Sequence, residues 1–214
     1  MRRLTVILAL CVLPVALIAC KGAKQQQPSG TATTPGAMGA QDTAASGHNK
    51  AGGMAMGAIT VTSTAFTDGT TIPKQYTCEG KDMSPPLSWS GVPSSAKTVA
   101  MILDDPDAPM GTWTHWVIWN IPATTTTLSE GMAKDASVSG GIRQGKNSWP
   151  KTGYNGPCPP PGKAHRYYFT LYALDTSLSI PDSSNRSQLE AAMKGHILAQ
   201  GQLLGMYAKT GKAS

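Results

Sequence analysis

Residues 98–121 read TVAMILDDPDAPMGTWTHWVIWNI, which is two apolar runs joined by an acidic, proline-containing loop. Continuous apolar runs of this length are typical of strands that are buried on both faces of a sheet. We therefore predict central strands over Thr98–Leu103 and His115–Ile121. A similar run, Arg166–Leu174, predicts a third central strand.

The rest of this region shows one more strand pattern and one helix pattern. Residues Ile59–Thr64 alternate with a period of two, which predicts an opening strand. Apolar residues at helical spacing predict a helix over Arg186–Lys194, capped by Ser184 or Asn185. Segment Ile197–Tyr207 is ambiguous, and we predict a short helix or turn that leads into a last strand. Together these patterns indicate a mainly β domain with one or two peripheral short helices.

The amino-terminal residues resemble a bacterial lipoprotein signal. Two arginines precede the apolar stretch Leu4–Ala19, which is too short for a permanent membrane span and ends directly before Cys20. We predict that residues 1–19 are a cleavable signal peptide and that Cys20 is acylated. An ordinary secretory signal beside an incidental cysteine is the alternative. Lys21 takes the place of the aspartate that retains lipoproteins at the inner membrane, which favours an outer-membrane anchor with the domain facing the periplasm.

Composition separates a tether from a single domain. Residues 20–57 are rich in Gln, Gly, Ser, Thr and Ala without apolar periodicity, which predicts a lipidated, disordered tether and a folded domain over residues 58–214. The formal net charge of +6 is concentrated before residue 58, and the charges of the domain nearly balance. The domain has no run of basic residues with interleaved aromatics, so we do not expect a nucleic-acid partner.

The cysteines indicate one disulfide. Removal of the signal peptide deletes Cys11 and acylation uses Cys20, which leaves Cys78 and Cys158 in an exported domain. Leftover pairs in an oxidising compartment usually join, so we predict a Cys78–Cys158 bridge. Two free thiols are the alternative. We expect no metal site, because further ligands at characteristic spacings are not visible.

Polar residues stand at the ends of the three predicted central strands. Residues 104–109 end the first strand with three aspartates and two prolines, His115 opens the second, and His165 precedes the third. Prolines stiffen loops, and the Gly/Pro-rich stretch 153–162 is a second rigid loop. Two imidazoles, an aspartate and Tyr167 could therefore meet in a small polar pocket that suits an anion. Taken singly, each histidine could instead be satisfied at a sheet edge, and each aspartate could be a turn former.

This combination resembles the phosphatidylethanolamine-binding protein family, also called Raf kinase inhibitor-like proteins, and in particular its bacterial YbhB/YbcL branch. The resemblance covers about Thr60–Ala208 and implies a central antiparallel sheet packed on a smaller second sheet. The segments that carry it are Tyr76–Gly80, Ser84–Trp89, Asp105–Pro109, Thr114–Trp116, Gly156–Pro160 and His165–Tyr167.

The resemblance also implies a site. Members of the family have a cavity that holds phosphate, acetate or a phosphoethanolamine head group. Carried over by position, the residues that line it here are Asp105, His115, Pro159, His165 and Tyr167, with Cys158 and Pro160 at its loop wall.

We expect an envelope-anchored binding protein without enzymatic activity or cofactor. Its expected partners are a small anion or phosphorylated head group, and the membrane, which it reaches through Cys20. The sequence has no Gly-x-Ser-x-Gly elbow and no zinc signature. One alternative is an inhibitor or interaction partner of an envelope protease or other enzyme, contacted through the proline-rich loops. The other is a weak hydrolase that uses Asp105 and His115 as a general-base pair.

Overall fold

The computed structural model describes residues 57–209. The predicted signal peptide, Cys20 and nearly all of the predicted tether lie outside the described residues. Within them, no helix has the length and apolar character needed to span a membrane. The strands are β1 (Gly57–Ala58), β2 (Thr60–Thr62), β3 (Thr70–Thr71), β4 (Leu87–Ser90), β5 (Thr98–Asp105), β6 (Trp113–Pro122), β7 (Thr127–Leu128), β8 (Arg143–Gln144), β9 (His165–Leu174) and β10 (Ile197–Tyr207).

A seven-stranded sheet forms the centre of the fold, in the order β1-β10-β9-β5-β6-β8, with β3 also paired to β10. The long strands β5, β6, β9 and β10 pair antiparallel with their neighbours in this order. The short strands β1 and β3 pair parallel with β10, near Ala199 and Gly205 respectively. The three predicted central strands are confirmed, and each extends by one or more residues into the flanking polar segment.

A smaller sheet, β2-β4-β7, covers one face of the large sheet. Buried side chains of both sheets, such as Trp89 and Leu128 from the small one and Leu103 and Phe169 from the large one, form one hydrophobic core. The other face of the large sheet carries helix α1 (Arg186–Met193), whose Leu189 packs in a second cluster. The predicted fold class, a mainly β fold with a central antiparallel sheet and a smaller second sheet, is confirmed.

Helix α1 begins where the sequence predicts. The Asn185 side chain accepts a hydrogen bond from the backbone N–H of Gln188 at 3.2 Å, and the Gln188 side chain accepts from the backbone N–H of Asn185 at 3.0 Å. This reciprocal cap satisfies two donors that would otherwise have no partner at the start of the helix. Of the two predicted caps, Asn185 is therefore the one that is used.

Two local predictions were wrong. Segment Ile197–Tyr207 is one continuous strand, without a helix or turn. The predicted opening strand Ile59–Thr64 is shorter and is interrupted at its start, since Ala58 pairs with β10 in the large sheet whereas Thr60–Thr62 pair with β4 in the small one. The chain changes sheets at Ile59, and this crossing needs Gly201, because a Cβ there would collide with the Ile59 carbonyl.

Candidate functional site

Three strand ends meet at one edge of the large sheet. Asp105, the last residue of β5, pairs with Trp113, the first of β6, and β9 runs antiparallel to β5 so that His165 begins at the same end. The pairing of β5 with β6 shifts register between Leu103 and Asp104. Such irregularities re-aim side chains beside functional sites. The antiparallel order thus brings together residues that are far apart in the chain.

Asp105 and His165 form a nearly buried pair. His165 Nδ1 lies 2.8 Å from Asp105 Oδ2, and the two side chains are 12% and 4% exposed respectively. The other oxygen, Oδ1, accepts the backbone N–H of Asp107 at 2.9 Å, so the carboxylate is fixed on both sides. Since a carboxylate accepts hydrogen bonds, His165 donates from Nδ1, and its Nε2 remains for a ligand.

His115 is oriented by main-chain carbonyls. Its ring is buried, and Nδ1 lies 2.8 Å from the Asn155 oxygen and 3.1 Å from the Gly156 oxygen. A carbonyl can only accept, so Nδ1 carries the proton and Nε2 is the nitrogen without a partner in residues 57–209. Burial lowers the pKa of His115 below its ordinary value, although the Asn155 carbonyl and the charge of Asp105 oppose this shift. At neutral pH the ring is therefore neutral, and Nε2 is an acceptor.

Both histidines line one cavity of about 320 Å³. Its buried end is polar, because Asp105, His115 and His165 are there. Its exposed end is apolar, and Met110 at this rim is 90% exposed. The remaining lining residues are Ala108, Pro109, Trp113, Trp149, Cys158, Pro159 and Pro160.

Six of the seven residues predicted for the ligand site therefore line the cavity, and Tyr167 does not. Tyr167 is fully buried, and its ring stands edge-on to His115 with 5.2 Å between the ring centroids. Burial and the nearby Asp105 carboxylate raise the pKa of Tyr167, so its hydroxyl stays protonated. The Tyr167 side chain lies on the inward face of β9 one step deeper than His165, and its buried hydroxyl has no hydrogen-bond partner among residues 57–209, so its contact with a ligand stays a prediction.

Two tryptophans of the cavity were missed by the sequence analysis. Trp149 stands edge-on to both His115 and Trp113, with ring centroids 5.0 and 5.3 Å apart. Trp113 lies two residues before His115 and so shares its strand face, which is a signal that could have identified it. Trp149 lies on a loop, and nothing in its sequence context marks it.

The loop wall of the cavity is attached to the segment 76–82. The predicted Cys78–Cys158 disulfide is present, with the two Cα atoms 5.4 Å apart. The backbone N–H of Cys78 donates to the Pro157 oxygen at 3.1 Å, and the Tyr154 hydroxyl donates to the Tyr76 oxygen at 2.6 Å. Cys158 therefore belongs to the cavity wall and to a covalent link at the same time.

The acidic loop after β5 is attached to β9. Asp107 accepts hydrogen bonds from the side chain of Arg166 at 2.7 and 2.9 Å and from its backbone N–H at 2.9 Å. These bonds lower the pKa of Asp107 to about 2, so the carboxylate stays charged over the physiological range. The loop that carries Pro109 and Met110 thus has a fixed position beside His165.

The fold and the cavity together define a mainly β binding protein whose small cavity is polar inside and apolar at its mouth. The family model for phosphatidylethanolamine-binding protein matches residues 62–208, and the chain belongs to this family. Among curated relatives, a UPF0098 protein of Methanothermobacter thermautotrophicus is 49% identical over 145 residues, which are 68% of this chain and 95% of that protein. A UPF0098 protein of Aquifex aeolicus is 48% identical, over 70% of this chain and 88% of that protein.

Two solved structures are similar. One, from Chlamydia trachomatis, is described as a homologue of phosphatidylethanolamine-binding protein. It is 43% identical in sequence with a TM-score of 0.65, and the match covers 71% of this chain and 98% of the Chlamydia chain. The other, Escherichia coli YbcL, is described as a member of the mammalian family; it has a TM-score of 0.67 and 33% identity and covers 71% of this chain and 99% of its own. The predicted family is therefore confirmed.

Proposed function

We propose that the cavity binds a small anion, such as phosphate or a phosphorylated head group of the phosphoethanolamine kind. The observation that carries this proposal is that both histidines commit Nδ1 to the protein and keep Nε2 for the cavity. The Asp105 carboxylate holds the Nδ1–H of His165, so a protonated His165 ring can donate its Nε2–H to an anion oxygen. The Nε2 atom of neutral His115 accepts a hydrogen bond from the hydroxyl of a monoprotonated phosphate.

A buried donor beside the cavity also supports a ligand. The indole Nε1–H of Trp113 is buried and has no hydrogen-bond partner within the described part of the chain. Buried donors without partners are uncommon, and an unfilled ligand position is one reason for them. Two or three charge-assisted hydrogen bonds at roughly 1.5–3 kcal/mol each, reduced by desolvation and ordering, correspond to micromolar-to-millimolar affinity for a bare anion.

Calorimetric titration of the folded protein with phosphate and phosphoethanolamine tests this function. We expect binding in the wild type and at least about tenfold weaker binding in His115→Ala and His165→Ala, because each variant removes one charge-assisted contact. His196→Ala is the matched control, since His196 pairs with Asp175 on the surface. Binding that is unchanged in both cavity variants would place the anion elsewhere.

We propose binding without turnover. The cavity lining within residues 57–209 contains no serine, threonine or lysine, and its one cysteine is in the disulfide. A water activated by His115 is the remaining route to hydrolysis, so a panel of phosphomonoesters and esters should be assayed. Turnover that is lost in His115→Ala would establish a hydrolase instead.

A protein partner is a second candidate function, favoured by one observation. Met110 is 90% exposed on a loop that also carries Pro109, beside the exposed Pro160. Together the three residues form a small apolar patch at the rim of the cavity, which a groove of an envelope protease or other enzyme could cover. Capture of a partner that survives His115→Ala but is lost in Met110→Glu would support this role.

We also propose that the protein is anchored in the cell envelope through acylated Cys20, facing the periplasm from the outer membrane. The apolar stretch that ends before Cys20 supports this location. Labelling of cells with an alkyne fatty acid should mark the wild type and leave Cys20→Ser unmarked. Equal labelling of both proteins would contradict acylation at Cys20.

A further inference from the structure

The ring of His115 is held by a peptide group and not by a side chain. Its Nδ1 donates to the Asn155 oxygen at 2.8 Å, and the backbone N–H of Asn155 donates to the His115 oxygen at 3.1 Å. The Gly156 oxygen, at 3.1 Å from Nδ1, is a second and longer contact, so the peptide between Asn155 and Gly156 is the main group that sets where the His115 ring points. This peptide lies in the Gly/Pro-rich loop, so a further contact must keep it in place.

Asp82 provides that contact. The backbone N–H of Gly156 donates to Asp82 Oδ1 at 2.6 Å, and the Asn155 side-chain amide donates to Oδ2 at 3.2 Å. Lys134 Nζ also lies 2.7 Å from Oδ2. Asp82 itself has a φ of 54°, in the left-handed region that Asp and Asn adopt more readily than most other residues. Its side chain is 30% exposed, so it is a partly solvated carboxylate.

We propose that Asp82 is a positioning residue for the ligand cavity, because its carboxylate accepts the N–H of the peptide whose carbonyl accepts from His115. The chain of contacts runs from Asp82 Oδ1 to Gly156 N–H, through the peptide bond to the Asn155 oxygen, and on to His115 Nδ1–H. Each histidine is thus connected through Nδ1 to a carboxylate. His165 contacts Asp105 directly, whereas His115 is connected to Asp82 through one peptide group.

The physical effect is polarisation. A carboxylate at the N–H end of a peptide draws charge toward the carbonyl oxygen, and consecutive hydrogen bonds strengthen one another by about 10–30%. A stronger acceptor at the Asn155 oxygen stabilises the proton on Nδ1 and also stabilises the charged ring. The first effect keeps Nε2 free for the ligand, and the second opposes the effect of burial on His115.

The link is independent of the disulfide. Asp82 holds Asn155 and Gly156, whereas the Cys78–Cys158 bridge holds the segment that follows. The other titratable groups that act on His115 are Asp104 and Asp105 from β5 and Tyr167 and His165 from β9. These groups stay the same when Asp82 alone is changed, so variants at this position isolate its contribution.

Nitrogen NMR of histidine-labelled protein tests the proposal. In the wild type we expect His115 as the Nδ1–H tautomer. In Asp82→Ala the Nε2–H tautomer should become populated, and the pH at which His115 titrates should fall. Asp82→Asn keeps an acceptor oxygen but loses the charge, so the tautomer should be kept while the titration midpoint still falls. Phosphate affinity should decrease about three- to tenfold in Asp82→Ala.

Asp135→Asn is the matched control, because Asp135 is exposed and its side chain makes no hydrogen bond to any residue that the structure describes. Unchanged tautomer and midpoint in a folded Asp82→Ala would overturn the proposal. If that variant does not fold, an unchanged midpoint in Asp82→Asn would overturn it instead. The affinity effect rests on the proposed anion binding, whereas the NMR readout needs no ligand. Failure of the wild type to bind phosphate would therefore count against the function and leave the role of Asp82 to be decided by NMR.

Discussion

The Nδ1 atom of His165 lies 2.8 Å from Oδ2 of Asp105, although the two residues are 60 positions apart in the chain. The pair exists because β5 ends where its antiparallel neighbour β9 begins. The carboxylate orients the ring, and no residue that the structure describes makes a hydrogen bond to Nε2. The geometry of two adjacent strands thus fixes the orientation of an imidazole at the cavity.

Asp105→Asn should weaken anion binding about tenfold, because an asparagine keeps an acceptor oxygen for His165 but makes a weaker hydrogen bond than the carboxylate and orients the ring less firmly. The measurement is calorimetric titration with sulfate at pH 6. Asp135→Asn removes the same charge from an exposed position and serves as the control. Equal affinities of wild type and Asp105→Asn would mean that the hydrogen bond between Asp105 and His165 does not contribute to anion binding.

The pH dependence of binding should differ between sulfate and phosphate. Burial lowers the pKa of His115, so its Nε2 gains a proton only below about pH 6.5, the ordinary value for histidine. Sulfate carries no proton in this range and needs a donor at Nε2, whereas monoprotonated phosphate can donate to the neutral ring. Sulfate affinity should therefore rise more steeply than phosphate affinity between pH 8 and pH 5.5, and His115→Gln should remove most of that difference. Equal affinity for sulfate at both pH values would contradict the proposed contact.

His115 should make the fold less stable in mild acid. Its pKa in the folded state is lowered by burial, so the unfolded chain binds more protons as the pH falls through the unfolded value of about 6.5. The free energy of unfolding should decrease from pH 8 to pH 5 more strongly in the wild type than in His115→Gln. Urea denaturation in an anion-poor buffer measures this, and His196→Gln, at an exposed ion pair, should keep the slope of the wild type. Parallel pH profiles for wild type and His115→Gln would show that the buried ring does not resist protonation.

Loss of the disulfide should destabilise the fold by about 2–5 kcal/mol, because the bridge closes a long loop in the unfolded chain. The two cysteines are separated by 80 positions. The double variant Cys78→Ser and Cys158→Ser, compared with the wild type by urea denaturation, provides the value. A change below about 1 kcal/mol would mean that the hydrogen bonds between the two segments suffice without the bridge.

The strand centres and the meeting of Asp105, His115 and His165 could be predicted because their signals are local. Each central strand is a continuous apolar run, and each polar residue stands at the end of one. Once the strands are antiparallel neighbours, these ends have to meet. The cap of helix α1 could be predicted for the same reason, since it depends on residues within one turn.

The remaining features depend on contacts that local patterns do not show. Strand β10 was obscured because Gly201 and Gly205 occupy inward positions, where close neighbours leave no room for a side chain. The family resemblance assigns Tyr167 to the cavity, but how deep a side chain lies along a strand is set by packing, and Tyr167 lies fully buried against His115. Asp82 carries no local signal, because the two loop residues that it holds, Asn155 and Gly156, lie more than seventy positions away.

The parallel pairing of β1 with β10 places the start of the described chain at the end of the domain opposite the cavity. Gly57 lies beside Ala199, whereas His165 lies beside Tyr207, eight positions farther along the same strand, which corresponds to about 26 Å. A lipid attached upstream of Gly57, as proposed, would join the domain at the pole away from the cavity.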